Sequence, residues 1–469
     1  MNPTTVDKVR TQYSSAVTLA NSVLFTASAG SAAFCLYCIA SHKDHLYLRL
    51  APAMIGIAAP LLMKFRPVFR LMAAAVVIGL GVGLYVAQGF ALMLVDPDRP
   101  ALQALEKEAK AARVPFDGRT RIQVIEDLRS QGVAAYPPFY PYLLLDAPLR
   151  VDGEPTIALS SIANITAVCC NDSGQYLEYK TDEHGFANPA GSWSQRSIDM
   201  ALVGASSAVG ESVPQADNLL SQLRVRYPSA MTVGAGGNGP LLELASIREY
   251  LTLVKPKRVV WLFAESHTPE YLEAESHTPA LLRYLDASYK QGLLEKQDSL
   301  NQAITGYFNS GIQTELAEEA PPRLAKDFLL LKTFRTVMYY YVTAKTAKPR
   351  PFQFNSEVYE QALREGRRMV NSWGGTVTLA YFPDSSRYAG ICIYTPALRQ
   401  LYDRTHEAFM KVANKLDIPV VDLSRSFPDV PAAQSAINTQ YFYPYPAHYK
   451  PAGYHLAGKE ILSALEKLP

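Results

Sequence analysis

The sequence predicts a chain in two parts: N-terminal transmembrane α-helices, then an α/β domain on a parallel sheet with helices on both faces. Three observations carry this expectation. Long uncharged runs lie before Asp96, short apolar runs alternate with amphipathic stretches after Ile198, and small or polar residues stand just behind those runs.

The 469 residues suffice for two or three folding units, and the formal net charge of +2 implies no polyelectrolyte partner. A nucleic-acid binder would show a basic stripe, and none is present. The five cysteines are Cys35, Cys38, Cys169, Cys170 and Cys392. Two lie in an apolar run and two are adjacent, which is awkward geometry for a disulfide. No paired CxxC spacing occurs, so neither a metal site nor a disulfide framework is expected.

From Thr11 to Ser41 no charged residue occurs, and Leu71 to Val95 forms a second uncharged run of 25 residues. A helix needs roughly 20 apolar residues to cross the hydrocarbon core. Leu50 to Met63 adds 14 uncharged residues with Pro52 and Pro60 near its ends, a third span if Arg49 snorkels. Lys8, Arg10, Lys64, Arg66 and Arg70 flank one side of this arrangement, against Lys43 and Arg49 on the other. The positive-inside bias then places the N-terminus in the cytoplasm and everything after Asp96 outside. Residues 1–95 are thus read as a three-span membrane region, with the bilayer itself as a partner.

Residues 96–197 read as a linker helix over Ala101–Arg113 followed by a small β-containing pre-domain, with ALSSIANITAVCC and GQYLEYK as its β-prone runs. From 198 to 469 the pattern alternates. DMALVGA, AMTVGA, RVVWLFA, TVTLAYF and IPVVDLS are too short for helices, and amphipathic stretches such as Pro240–Val254 and Pro396–Leu416 separate them. Such alternation gives a parallel sheet whose ligand site forms at the carboxyl ends of the strands. A mostly helical insertion over about 265–370 opens with a near-perfect duplication, ESHTPEYLEA then ESHTPA.

Four segments behind the strands could carry chemistry. Ser206 sits in the turn Gly204–Gly210, where a strand end can present its hydroxyl to solvent and a following helix can stabilise developing negative charge. The run Gly234–Pro240 allows positive φ and close backbone approach, as an oxyanion-binding nest would need. It has neither GxGxxG spacing nor a P-loop lysine, which argues against a nucleotide. His267 ends the third strand run, and His448 lies in an aromatic, proline-rich loop before the last helix, where a histidine can act as general base. Each segment also has a plain structural reading as a tight turn or surface loop.

In order, GASSAVG, AGGNGP, ESHT and AHYKPAGYHLAGKEI resemble the motif series of the SGNH (GDSL-type) hydrolase superfamily, from about Ile198 onward. PLLELASIREYLTLVKPKRVVWLFAES is similar to a bacterial, often membrane-anchored subgroup. FDGRTRIQVIEDLRSQG and YKTDEHGFANP are similar to that subgroup's pre-domain. The resemblance implies a flavodoxin-like sheet, Ser206 as nucleophile, His448 as base, and an oxyanion hole from the Ser206 and Gly237 N–H groups with His267. It implies no cofactor. Ala205 stands at the usual aspartate of the nucleophile motif, His267 at the oxyanion asparagine, and Tyr445 at the usual acid three residues before the histidine, which leaves Ser206 and His448 as a Ser–His dyad with a backbone carbonyl to orient the imidazole. Two functions follow as expectations. One is an outward-facing esterase or O-acyltransferase at the bacterial inner membrane, acting on acylated envelope carbohydrate. The other is a catalytically degenerate binding or assembly subunit of a membrane or polysaccharide-export complex.

Overall fold

The computed structural model describes residues 3–40, 61–62, 64–94, 106, 110, 115–318, 328–329, 331–335, 338, 354–384, 387, 396–427 and 448–467. The chain divides into two compact units, Met1–Pro100 with Ala320–Ala347, and Ala101–Glu319 with Lys348–Pro469.

The first unit holds α1 (Pro3–Ala40) and α2 (Pro67–Leu94). Thr11–Ala33 and Pro67–Ala91 are long and apolar enough to cross a bilayer. The two helices pack on each other, with Ala20, Leu24 and Ala74 buried, while Leu19, Phe25, Met72, Val76, Leu80 and Phe90 are exposed. An apolar exterior of this kind suits a lipid surroundings better than water. The candidate span Leu50–Met63 lies outside the described residues, apart from Leu61 and Leu62. Part of the predicted insertion joins this unit. Tyr85 Oη donates to Leu329 O at 2.9 Å, and Phe334 N donates to Gln88 Oε1 at 2.7 Å. These bonds engage the Tyr85 hydroxyl and the Gln88 carbonyl, and the third polar side chain of α2, Arg70, donates to Phe65 O at 2.8 Å.

In the second unit, Thr120 and Gln123 form a reciprocal capping box that starts α3 (Arg121–Ser130). Then come β1 (Ala135–Tyr136), the hairpin of β2 (Leu149–Val151) and β3 (Glu154–Thr156), and β4 (Thr166–Val168) with β5 (Glu178–Lys180). The three strands β1, β4 and β5 make a small mixed sheet, parallel at β1–β4 and antiparallel at β4–β5.

The main sheet follows: β6 (Met200–Val203), β7 (Met231–Thr232), β8 (Arg258–Ala264), β9 (Thr376–Phe382) and β10 (Val420–Asp422). All are parallel and ordered β10-β9-β8-β6-β7, the 2-1-3-4-5 arrangement of flavodoxin-like folds. Their side chains divide with period two. Val203, Trp261, Phe263, Leu379 and Tyr381 enter one core, with the helices α6 (Pro240–Ser246), α10 (Ser356–Ser372) and α11 (Pro396–Lys415) over that face. Leu202, Val260, Leu262, Ala380 and Phe382 enter the other, under α5 (Leu219–Arg224) and α12 (Pro451–Leu465). The near-continuous apolar strand runs of the sequence have this cause, since both faces are covered.

The segment read as a pre-domain adds Phe139, Leu144, Ile157, Leu159, Ala167 and Phe186 to the first of these cores. It therefore packs on the α/β sheet directly. Between β8 and β9 the described residues include the helices α7 (Thr268–Glu275), α8 (Pro279–Leu282), α9 (Gln297–Glu318) and then α10, with turns over residues 286–296.

Candidate functional site

Ser206 follows β6 and opens α4 (Ser206–Val209), a single turn whose end is closed by Gly210 and Glu211 N–H groups donating to Ser206 O at 2.9 and 3.1 Å. The serine is part-exposed at the strand's carboxyl end, as the sequence reading expects. One helical turn has little macrodipole, however, so the helix contributes less to charge stabilisation than that reading assumes. Individual N–H groups must do it instead.

The glycine loop after β7 packs against this turn. A Cβ at Gly234 would fall 2.8 Å from Gly204 O and 2.6 Å from Ala208 Cβ, and Ala235 N donates to Gly204 O at 3.3 Å. Only a residue without a side chain fits there. Gly237 adopts φ +76° and carries the Tyr142 ring on its bare face, where a Cβ would meet Tyr142 Cδ1 at 2.0 Å. The far end of the loop is fixed by buried Glu275, which accepts from Gly239 N at 2.7 Å and Leu241 N at 2.8 Å at the start of α6. Asn238 is buried beside Gly237, and its amide has no hydrogen-bond partner among the described residues.

His267 lies directly before α7, with Nδ1 3.0 Å from Ser266 Oγ and its ring near-parallel to Tyr271 at 5.7 Å. Desolvation lowers its pKa, and the charge of nearby His448 lowers it further against the opposing pull of Asp384. Glu265, two residues earlier, is fully committed elsewhere. It accepts from Tyr381 Oη at 2.5 Å and Asp384 N at 2.9 Å, and pairs with Arg387 at 2.7 Å.

His448 is set in place by its neighbour. Tyr449 is buried among Phe382, Phe427 and Tyr454, and donates to Pro383 O at 2.7 Å behind β9. His448 Nδ1 donates to Asp172 Oδ2 at 2.9 Å, and Ser212 Oγ lies 2.8 Å from the same nitrogen while donating to that carboxylate. Burial pushes the imidazole pKa down, but the Asp172 hydrogen bond and the charges of Glu211 and Asp172 outweigh it and raise it to about 8. Glu211 is itself buried, and desolvation raises its pKa despite the nearby His448.

Asp172 and Ser212 are absent from the sequence reading. Tyr445, which occupies the usual position of the acid and leads to the expectation of a Ser–His dyad, lies outside the described residues. The partner of the histidine is supplied from 276 positions away, by the β4–β5 hairpin tip. That tip is tied down on its other side: Asn171 Nδ2 donates to Asp117 O at 2.7 Å, and Asp117 N donates to Gly174 O at 2.8 Å. The local pattern, Asn-Asp-Ser-Gly between two β-prone runs, signals a turn and nothing more. Ser212 has a left-handed φ of +76° in a residue only 2% exposed. Non-glycine residues occupy that region at a cost, and they concentrate at functional sites.

The structure thus joins His448 to Asp172 and Ser212. Among the described residues no hydrogen bond joins His448 to Ser206. With Nδ1 engaged by a carboxylate, Nε2 is the nitrogen left to act as base, and a buried acid fixes its tautomer. His277 and His455 are exposed, their Nδ1 atoms 2.8 Å from Glu273 O and 3.0 Å from Gln222 Oε1.

No family model and no curated protein matches the chain. Solved structures similar to it include an acetyl xylan esterase, at 9% identity and TM-score 0.31, over 57% of this chain and 100% of that one. A lipase/acylhydrolase from Enterococcus faecalis shows 12% identity and TM-score 0.29, over 57% and 94% of the two chains. A GDSL-like lipase from Bacteroides thetaiotaomicron shows 11% identity and TM-score 0.28, over 58% and 88%.

Proposed function

We propose that the second unit is an SGNH-type acyl-ester hydrolase or O-acyltransferase with the triad Ser206–His448–Asp172. The observation that carries this is the Asp172–His448 hydrogen bond, because it supplies the acid that the sequence near His448 lacks. Ser206 Oγ attacks the acyl carbonyl, His448 Nε2 takes its proton, and the oxyanion is met by the backbone N–H groups of Ser206 and Gly237 with His267. His448 then returns the proton to the leaving alcohol. Water, or an acceptor hydroxyl in the transferase case, resolves the acyl-enzyme. Ser206 rather than Ser212 is the nucleophile, because Ser212 is buried while Ser206 stands open at the strand end.

The apolar helices α1 and α2 support anchoring in a bacterial inner membrane, and the charge bias supports a catalytic domain on its outer side. The substrate is then an acylated carbohydrate of the cell envelope. A non-catalytic binding or assembly subunit is the second reading. It is favoured by Ala205 at the nucleophile motif and by the missing Ser206–His448 hydrogen bond, although such bonds often tighten only with substrate bound.

Fluorophosphonate labelling of the full-length protein decides between them. The enzyme reading expects modification at Ser206 that is lost in Ser206→Ala and falls sharply in His448→Ala. Folded protein that neither labels nor hydrolyses a short-chain aryl ester leaves the binding subunit.

A further inference from the structure

From Gly237 to His267 the site is bordered by a row of aromatic rings. Tyr140 and Tyr142 are 6.0 Å apart and tilted by 30°, Tyr142 and Tyr271 are 6.0 Å apart at 19°, and Tyr271 and His267 are 5.7 Å apart at 18°. For near-parallel rings such spacings mean lateral displacement, so each ring leaves part of its face uncovered. Tyr142 is 38% exposed and His267 is exposed, with Tyr271 half-buried between them. The row runs from the glycine loop to His267. Tyr140 lies against Gly236 beside Glu211, Tyr142 lies on Gly237, and His267 feels the charge of His448.

We infer that Tyr142, Tyr271 and His267 form a carbohydrate-binding platform that seats the sugar carrying the acyl group. This inference rests on the ester chemistry proposed at Ser206. The rings come from two separate segments, the turn before β2 and helix α7, yet share one orientation. A pyranose ring presents axial C–H groups on one side and hydroxyls around its rim. It covers an aromatic face while its rim reaches polar groups, which here are the tyrosine hydroxyls, Ser266 and Glu270. Glu270 is close enough to Tyr271 that its charge contributes to raising that phenol's pKa to about 12, after desolvation and Tyr142. A long acyl chain would instead call for an aliphatic wall.

The test uses full-length protein in detergent and three probes: xylopentaose, mannopentaose and the pentamer of N-acetylglucosamine, followed by saturation-transfer NMR and titration calorimetry. At least one should bind saturably. Tyr271→Ala and Tyr142→Ala should each weaken it about three- to tenfold, the worth of one aromatic contact, while Tyr271→Phe should hold it near wild type. Because Tyr142 packs on Gly237, Tyr271→Ala is the cleaner variant. Unchanged affinity in Tyr271→Ala overturns the platform. Fluorophosphonate labelling of Ser206 without binding of any probe overturns it too, leaving the ester chemistry intact. Binding that depends on Tyr271 in a protein that never labels would keep the platform and reject the reaction.

Discussion

Replacing Asp172 by asparagine is the most informative single change, because it keeps the shape of the hairpin tip while removing the charge that orients His448. In wild type, Nδ1 donates to the carboxylate at 2.9 Å, so Nε2 is unprotonated and can act as a base whenever the ring is neutral. An asparagine amide can donate to Nδ1 instead, which moves the proton to Nε2 and leaves no base. In serine proteases the equivalent loss lowers kcat about 10⁴-fold, and a fall of that order is expected here. The pH dependence gives a second reading. His448 has its pKa raised to about 8 against about 6.5 unfolded, so its stabilising contribution is complete below pH 6.5 and disappears as pH rises through 8. That contribution is at most about 2 kcal/mol, part of it owed to Glu211 rather than to Asp172. Denaturant unfolding should therefore show the Asp172→Asn variant most destabilised near pH 6, with the gap closing above pH 8. The kcat/KM of wild type for an aryl ester should rise with pH through about 8 as His448 loses its proton, and the weak residual activity of the variant should rise at lower pH. An Asp172→Asn variant with wild-type kcat/KM and an unmoved pH limb would refute the assignment of Asp172.

Ser212→Ala should lower kcat about tenfold, since one hydrogen bond to a buried carboxylate is lost, and Ser212→Gly should do the same. The glycine variant should melt higher than the alanine one, because it alone relieves the φ of +76°; equal melting temperatures would remove strain from the account. Gly237→Ala places a methyl within 2.0 Å of the Tyr142 ring at positive φ, so it should cost about 1–3 kcal/mol and reduce acylation of Ser206. A cysteine placed at Ser299 in α9 should react with an impermeant maleimide in intact spheroplasts. Protection there, with labelling only after lysis, would reverse the proposed topology.

Much of the fold was open to reading because its causes are local. Uncharged length marks α1 and α2, and two-sided burial gives the strands their continuous apolar composition. The order β10-β9-β8-β6-β7 is expected only through the resemblance, because strand–helix alternation and right-handed crossovers are compatible with more than one strand order. Ser206, His267 and His448 could be nominated because each lies near a strand end or a helix start in the sequence, and Gly237 and the proposed roles came with the resemblance. The division at residue 197 was less informative. A change from irregular β to regular α/β composition is visible there, but Phe139, Leu159 and Phe186 sharing a core with Trp261 and Tyr381 is a long-range packing fact with no local signature. The duplicated ESHTP is similar: Glu265 anchors Arg387 behind β9, while its copy Glu275 caps α6 under the glycine loop. Identical residues take different duties because only their surroundings differ.

The acid is where local reading had to fail, and the reason bears on function. A general base needs its partner in space, within about 3 Å of one ring nitrogen, and nothing requires that partner to be near in sequence. Here the residues just before His448 offer no carboxylate at the expected spacing, and that departure by itself argues for a dead site. Asp172 reverses the inference. Its hairpin tip is braced by Asn171 and Gly174 against the segment around Asp117, and its carboxylate also accepts from Ser212, held in a conformation that costs energy. A buried carboxylate so braced would be an expensive ornament around an inert histidine, since desolvating it is unfavourable unless its charge is used. The bracing makes mechanical sense if His448 must keep one tautomer and one orientation through repeated proton transfers. Under the proposed mechanism the pre-domain belongs to the catalytic apparatus, and separating it from the α/β sheet should abolish any reaction even with Ser206 and His448 intact.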